Sequence, residues 1–269
     1  MKLKRTLALA LALALCLCLS AGCAKRQTTL KVGASPTPHG EILKFIQPQL
    51  EKKGIKLEIV EFSDYVLPNT SLQDGQLDAN YFQHITYLNN FNDENGTTLV
   101  SAASVHYEPM GIYAGRTTSL DALPDGATIA VPNDTTNEAR ALLLLQENGL
   151  ITLKQGAGLN ATALDIESNP KNLVIQEIAA EQVARALPDV DMGIINGNYA
   201  LLAGLSVETD ALARETDASQ AAVSYVNVVA VRAGDENRED IQALVDALKS
   251  PETLQWIEQQ YKGAVVPVQ

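Results

Sequence analysis

Residues 127–149, ATIAVPNDTTNEARALLLLQENG, decide the fold class because they combine a strand, a turn and a helix in one short run. The first five residues form a mostly apolar run of strand length, and Glu138–Gln146 is rich in strong helix formers. Thr135 and Glu138 have the T-x-x-E spacing of a capping box, and Gly149 can end the helix. This stretch therefore predicts one strand–helix unit of an α/β protein.

On both sides of this unit, strand-like and helix-like segments alternate along the chain. The predicted strands are Leu30–Gly33, Ile55–Ile59, Thr98–Val105, Gly111–Ala114, Leu173–Ile178, Met192–Ile195 and Tyr225–Val231, and the other predicted helices are Glu41–Lys53, Ala180–Leu187, Ile241–Leu248 and Pro251–Tyr261. Such alternation favours an α/β fold in which helices cover both faces of the sheets. So many short elements are accommodated more readily by two lobes than by one sheet.

The composition is that of a globular protein that does not bind nucleic acid. Hydrophobic residues make up 46% of the 269 residues and charged residues 19%, values typical of a chain that buries a core. The formal net charge is −12, from 20 Lys and Arg against 32 Asp and Glu. Because phosphate backbones need a basic partner, this acidic balance excludes nucleic-acid binding as a function class.

The N-terminus resembles a bacterial lipoprotein leader. Three basic residues near the start precede the apolar run Leu7–Leu19, and Ser20-Ala21-Gly22-Cys23 follows. We predict a signal peptide over residues 1–22, lipidation of Cys23 and a polar tether over residues 23–29. The alternative is a plain signal peptide, cut nearby, that leaves Cys23 incidental. The predicted location is the extracytoplasmic face of the cell membrane, periplasmic or on the outer surface, held there by the lipid.

The sequence contains no motif of an enzyme. It has no G-x-S-x-G, P-loop, H-E-x-x-H or C-x-x-C pattern. Every cysteine lies at or before Cys23, so the body has no thiol for a disulfide, a nucleophile or a metal site. We expect no enzyme activity, no cofactor and no metal. One alternative stays open, a zinc site built from His39, His84, His106 and a carboxylate such as Glu108.

Polar stretches that follow predicted strands are candidates for a binding site. Residues 78–87, DANYFQHITY, are the densest polar and aromatic cluster in the chain. Phe82, His84 and Tyr87 can converge at the carboxyl end of a strand, where open α/β sheets bind ligands. In the alternative interpretation the two aromatic rings belong to the core and His84 caps a helix.

Two further stretches and one strand residue are candidates for polar contacts with a ligand. Residues 133–140, NDTTNEAR, place Arg140 one turn into a helix, where it can clamp a carboxylate; the alternative is a solvated surface arginine. Asn196-Gly197-Asn198-Tyr199 follows another strand and forms either a ligand contact or an ordinary turn. Asn227 stands inside an apolar strand, so its amide needs a partner, either a ligand or neighbouring backbone.

Longer runs resemble a known family, the NlpA/MetQ family of methionine-binding lipoproteins that serve ABC importers. These runs are FSDYVLPN at 62–69, LDANYFQH at 77–84, VPNDTTNEARALLLLQ at 131–146, NPKNL at 169–173, INGNYA at 195–200 and YVN at 225–227. The resemblance covers essentially the whole body after the leader, in the same order.

The resemblance implies a periplasmic-binding-protein-like fold, with two α/β lobes joined by two crossovers and a ligand cleft between them. The crossovers are expected near Tyr113 and just before Tyr225. Lobe 1 would then be discontinuous, comprising residues 30–112 and 226–269, and lobe 2 would comprise residues 113–225. The implied function is to capture L-methionine or a close derivative and deliver it to an ABC transporter permease.

The resemblance also implies roles for single residues. Arg140 would hold the ligand α-carboxylate, with Asn137 in the same clamp, and Asn196 and Asn227 would hydrogen-bond the amino acid head. The pocket for the ligand side chain would be walled by Tyr65, Phe82, His84 and Tyr87.

One departure from the family pattern concerns His106 and Glu108, where many relatives have an aromatic residue and a tyrosine. These two residues could add polar groups near the pocket, and Glu108 either pairs with a ligand ammonium or faces solvent. The alternative ligands are therefore a methionine-containing dipeptide, D-methionine or another amino acid. An alternative function is that of a surface interaction lipoprotein that kept the fold and lost the ligand; intact Arg140, Asn196 and Asn227 argue against it.

Overall fold

The structure is a computed structural model that describes residues 28–216 and 223–268. Its first sheet has the strand order β13-β4-β12-β3-β1-β2. These strands are β1 (Thr28–Ala34), β2 (Ile55–Glu61), β3 (Ala79–His84), β4 (Leu99–Tyr107), β12 (Val226–Arg232) and β13 (Val266–Pro267). Strand β1 pairs in parallel with β2 and β3, and β12 runs antiparallel between β3 and β4.

The second sheet has the strand order β11-β5-β10-β6-β9. Its strands are β5 (Gly111–Ala114), β6 (Thr128–Pro132), β9 (Val174–Ile178), β10 (Met192–Ile195) and β11 (Ala211–Arg214). The short strands β7 (Thr152–Leu153) and β8 (Ile166–Ser168) pair separately. The predicted strands are thus divided between two sheets.

Helices cover both faces of each sheet. Their bounds are α1 (Glu41–Lys52), α2 (Leu67–Gln73), α3 (Ile85–Asn95), α4 (Thr135–Glu147), α5 (Ala180–Ala186), α6 (Gly197–Leu202), α7 (Glu239–Leu248) and α8 (Pro251–Tyr261). Helices α1, α7 and α8 pack on one face of the first sheet, and α2 and α3 on the other. On the second sheet, α4 covers one face and α5 and α6 the other. This arrangement confirms the predicted α/β fold of two lobes.

The chain changes sheet twice. It leaves β4 at Tyr107 and enters β5 at Gly111, and it leaves β11 at Arg214 and enters β12 at Val226. We call residues 108–110 the first crossover and residues 215–225 the second crossover. The lobe bounds drawn from the sequence stay a prediction.

The start of α4 differs from the sequence prediction by one residue. The N-cap is Asp134, whose carboxylate accepts a hydrogen bond from the Asn137 backbone N–H at 3.0 Å, so the predicted Thr135–Glu138 capping box is wrong. Glu138 instead accepts from the backbone N–H of Ala163 at 2.8 Å. A carboxylate accepts more strongly than a hydroxyl and also interacts with the helix dipole, which favours Asp134 as the cap.

The leader lies outside the described residues, and so does Cys23. Within residues 28–216 and 223–268, none of the helices has the length and apolar character needed to cross a membrane.

Two glycines test how tightly the second lobe is packed. A Cβ on Gly115 would lie 2.4 Å from the Val190 carbonyl oxygen, whereas a Cβ on Gly193 would meet the end of the Leu187 side chain at 2.8 Å. Backbone yields less easily than a side-chain end. Gly115→Ala should therefore lower the free energy of unfolding by about 1–3 kcal/mol, and Gly193→Ala by less. Urea denaturation of both variants measures the difference, and equal losses would contradict this packing.

Candidate ligand-binding cleft

A cleft between the two sheets contains about 310 Å³ of space that no protein atom occupies. The cleft is lined by Tyr65, Phe82, Gln83, His84, Tyr87, Glu108, Asn137, Arg140, Asn196, Gly197, Asn198 and Asn227. Nine of the ten residues predicted as ligand contacts therefore lie together, and His106 lies behind Glu108 rather than in the lining.

Aromatic rings form one wall of the cleft. The ring centroid of Tyr65 lies 5.8 Å from that of Phe82, 5.6 Å from that of Tyr87 and 4.9 Å from that of Tyr199. Phe82 comes from the carboxyl end of β3 and Tyr87 from the first turn of α3. The apolar wall thus follows directly from one strand-to-helix junction.

His84 is both a helix cap and a cleft residue. Its Nδ1 accepts a hydrogen bond from the Tyr87 backbone N–H at 3.0 Å, so Nε2 carries the hydrogen and lies 3.2 Å from the Asn137 amide oxygen. Burial and the positive charge of Arg140 lower the pKa of His84 to about 3. The ring therefore stays neutral, and the two interpretations of this residue do not exclude each other.

A triangle of buried amides holds the strand that carries the aromatic wall. Asn69 donates to the Gln83 side-chain oxygen at 2.8 Å, and its own oxygen accepts from Asn80 at 2.8 Å and from Gln83 at 2.7 Å. All three lie in sequence runs that carry the family resemblance. The sequence alone does not indicate that these three amides bond to one another.

Arg140 is buried, with 3% of its surface exposed, and so the surface-arginine alternative is wrong. Its Nε and Nη2 donate to the two oxygens of Glu215 at 2.8 and 2.6 Å, and Nη2 also donates to the Glu108 carbonyl at 2.7 Å. Nη1 makes no hydrogen bond with a residue that the structure describes. Burial alone would lower the pKa of Arg140, but the Glu215 carboxylate raises it above its ordinary value.

Glu215 was missed by sequence reasoning, and it joins the two crossovers. It stands at the start of the second crossover and accepts from the Tyr107 hydroxyl at 2.6 Å and from the Met110 backbone N–H at 2.8 Å. Its own backbone N–H donates to the Met110 carbonyl at 3.0 Å. No local motif marks this glutamate, because its partners are distant in the chain.

Glu108 stands in the first crossover against two buried histidines. Its Oε1 lies 2.7 Å from His106 Nε2 and 3.3 Å from His39 Nε2. The opposite ring nitrogens bond to hydroxyl groups, His39 Nδ1 to Ser35 at 2.6 Å and His106 Nδ1 to Tyr81. If those hydroxyls donate to Nδ1, each Nε2 carries the hydrogen, so His106 donates to the carboxylate and His39 donates to the Asn227 amide oxygen at 3.0 Å.

Burial favours the neutral forms of His39, His106 and Glu108. Desolvation lowers the pKa of His39 to about 4 and that of His106 to about 3, and it raises the pKa of Glu108. The donor atoms of His39, His106 and Glu108 lie within 4.8 Å of one another, a spacing that could hold a metal ion. His84, the other member of the zinc alternative, is not part of this group.

Asn196 has an unused acceptor in the cleft. Its Nδ2 donates to the Asn137 oxygen at 2.6 Å, while its Oδ1 is buried and has no hydrogen-bond partner. Among the described residues, the other such buried side-chain atoms are the hydroxyls of Tyr113 and Tyr225. A buried acceptor without a donor costs free energy, so Asn196 Oδ1 indicates where a ligand donor belongs.

Asn227 and Asn137 are both bonded to other side chains. The Asn227 oxygen lies 3.0 Å from His39 Nε2, so a side chain rather than backbone is its neighbour. Its Nδ2 makes no hydrogen bond with a described residue. Asn137 donates through Nδ2 to Asp134 and accepts from Asn196 through Oδ1, so its role is to orient the groups around it.

Direct hydrogen bonds join the two sides of the cleft. The Tyr65 hydroxyl donates to the Asn198 side-chain oxygen at 2.6 Å, and the Tyr199 hydroxyl donates to the Ser63 carbonyl at 3.0 Å. The structure therefore shows the cleft closed.

Known proteins resemble this chain over most of its length. The family model for NlpA lipoprotein matches residues 30–269. The methionine-binding lipoprotein MetQ of Bacillus subtilis is 41% identical over 92% of this chain and 90% of its own. A lipoprotein structure from Ruminococcus gnavus is 57% identical, with a TM-score of 0.89 over 90% of this chain and 100% of its own. A nutrient-binding protein from Burkholderia cenocepacia, solved with methionine bound, is 45% identical, with a TM-score of 0.85 over 89% of this chain and 100% of its own.

The Arg140–Glu215 pair yields a stability prediction. Glu215→Gln leaves the buried guanidinium without its counter-charge, which should lower the free energy of unfolding by about 3–5 kcal/mol. The exposed pair Lys44–Glu61 is a matched control, and Lys44→Gln should change the free energy by less than about 1 kcal/mol. Chemical denaturation of the two variants makes the comparison, and similar losses would show that the buried pair is not a stability determinant.

Proposed function

This chain belongs to the NlpA lipoprotein family, and we propose that it is the lipid-anchored binding protein of an ABC importer, capturing L-methionine or a close derivative outside the cytoplasm. The observation that carries this proposal is the closed cleft, which has an aromatic wall and polar groups with unused hydrogen-bonding capacity. Such a site suits a small ligand with one apolar arm and one charged head.

The aromatic wall suits a thioether. Sulfur gains about 0.3–1.5 kcal/mol from each contact with an aromatic edge, and Tyr65, Phe82 and Tyr87 offer several edges. His84 adds a neutral ring at the same wall, so a flexible, uncharged side chain is favoured there over an ionised one.

The polar groups suit the head of an amino acid. Arg140 Nη1 and Asn227 Nδ2 are donors without a described partner, so they are assigned to the ligand carboxylate. Asn196 Oδ1 is a buried acceptor and is assigned to the ligand amino group. Asn137 is assigned to hold Asn196 and His84 in place.

Delivery follows from closure and anchoring. A ligand that contacts both sheets stabilises the closed cleft, and an importer's permease can recognise that arrangement. Acylation of Cys23 would keep the protein on the extracytoplasmic face of the membrane beside the permease. The family supplies no catalytic role, and we assign no enzyme activity to this chain.

The identity of the ligand can be read from its mass. Protein purified from membranes in detergent should retain a ligand through native mass spectrometry, because nanomolar affinity corresponds to about −12 kcal/mol. An adduct with the mass of methionine is the expected result, and chiral analysis of the released ligand separates L- from D-methionine. A dipeptide mass would shift the assignment to peptides. If no adduct appears and neither methionine nor dipeptides raise the melting temperature, the proposed function is wrong.

The cleft assignment has its own test in Asn196. Asn196→Ala removes the unpartnered acceptor and should weaken methionine binding by about 1–3 kcal/mol, because a ligand N–H then stays unpaired in the closed cleft. Asn148→Ala, at the end of α4, is the matched control and should leave affinity unchanged. Isothermal titration calorimetry of both variants gives the comparison; equal affinities would remove Asn196 from the site.

A further inference from the structure

The charges around the cleft are unbalanced, and we infer that Glu108 selects ligands with a primary ammonium group while the carboxylate of the ligand is dispensable. The inference rests on the proposed function and narrows its ligand class. It assigns the decisive contact to Glu108 rather than to Arg140.

The positive charge of Arg140 is already neutralised. Its guanidinium makes two parallel hydrogen bonds to Glu215, and the two side chains are only 4% and 3% exposed. Arg140 can still donate hydrogen bonds to a ligand through Nη1, but its positive charge is balanced by the Glu215 carboxylate. A neutral carbonyl oxygen can also accept such a hydrogen bond, although the electrostatic gain is smaller than for a carboxylate.

The carboxylate of Glu108 accepts a hydrogen bond from the Asn198 backbone N–H, but it makes no ion pair with a lysine or arginine among the described residues. Both groups that lie against its Oε1 are histidine rings, His39 and His106, which burial keeps neutral. Arg140 contacts the carbonyl oxygen of Glu108 rather than its carboxylate. With Glu215 cancelling Arg140, an ionised Glu108 leaves one uncompensated negative charge at the cleft.

A second acidic group lies behind the same site. The half-buried Asp134 accepts hydrogen bonds from Asn137 at the start of α4, and it forms no ion pair with a lysine or arginine among the described residues. The field in the cleft therefore favours a cation.

The acceptors converge on one place. A Cβ on Gly197 would lie 2.9 Å from Glu108 Oε2 and 2.7 Å from Glu108 Cβ, so glycine is required for Glu108 to lie against this turn. Asn196, the residue before Gly197, carries the unpartnered Oδ1. An ammonium group donates three hydrogen bonds, and it can satisfy a carboxylate oxygen and an amide oxygen together.

The ligand class follows from this asymmetry. A free ammonium is needed to neutralise Glu108, whereas an amide or a peptide carbonyl can take the place of the ligand carboxylate at Arg140. The site therefore accepts an α-amino acid with an apolar side chain, its amide, and a peptide that presents such a residue at its free N-terminus.

Two fragments of methionine, each smaller than methionine itself, test the ammonium contact with Glu108 and the carboxylate contact with Arg140 separately. 3-(Methylthio)propylamine keeps the ammonium and lacks the carboxylate, and 4-(methylthio)butanoate keeps the carboxylate and lacks the ammonium. In calorimetry on the full protein, stripped of retained ligand and refolded, the amine should bind at least about 100-fold more tightly, the scale for a desolvated charge pair. In Glu108→Gln, a variant of the same size, this ratio should fall at least about tenfold.

Each result decides the matter. A carboxylate fragment that binds as tightly as the amine, or an unchanged ratio in Glu108→Gln, overturns the inference. If that variant does not fold, the fragment ratio of the unaltered protein decides alone. Methionine is titrated in parallel: methionine binding with a ratio near one overturns the inference and keeps the proposed function. Amine selectivity without methionine binding overturns the proposed function and keeps the role of Glu108.

Discussion

The buried pair of Arg140 and Glu215 is the interaction on which the rest of the structure depends. Removing two charges from water costs several kcal/mol for each ion, and only good geometry with further hydrogen bonds offsets that cost. Glu215 meets this condition because Tyr107 and Met110 donate to it as well as Arg140. These donors come from the end of β4, the first crossover and α4, so one carboxylate of the second crossover ties the first sheet to the second.

The cost of burying charge also determines the state of the other polar side chains around the cleft. Burial keeps His39, His84 and His106 uncharged, so they act as hydrogen-bond donors and acceptors that add no field of their own. The amides of Asn69, Asn80 and Gln83 are hydrogen-bonded to one another. Specificity then rests on the few groups that the protein leaves unsatisfied, which makes the cleft selective for the ligand head.

Features that depend on neighbouring residues could be predicted from the sequence, whereas contacts between residues far apart in the chain could not. The strand–helix units were predictable because hydrophobic period, capping residues and glycine act within a few residues, although Asp134 replaced Thr135 as the cap. The cleft residues were predicted through family resemblance, since their own sequence left alternatives open for His84 and Arg140. Glu215 was not predictable, because its distance from Arg140 in the chain leaves no pattern. His106 was placed beside the pocket but supports Glu108 from behind, a distinction that only three-dimensional packing reveals.

Recognition of the head and burial of the side chain are carried out by different parts of the molecule. A ligand favours the closed cleft only by contacts that it gains there. Arg140 of α4 donates to the Glu108 carbonyl oxygen in the first crossover, so these two residues are joined directly to each other. The bonds from Tyr65 to Asn198 and from Tyr199 to Ser63 require the two sheets to meet. In the proposed binding mode, the head group is therefore the common anchor of every accepted ligand, and closure of the aromatic wall discriminates among side chains.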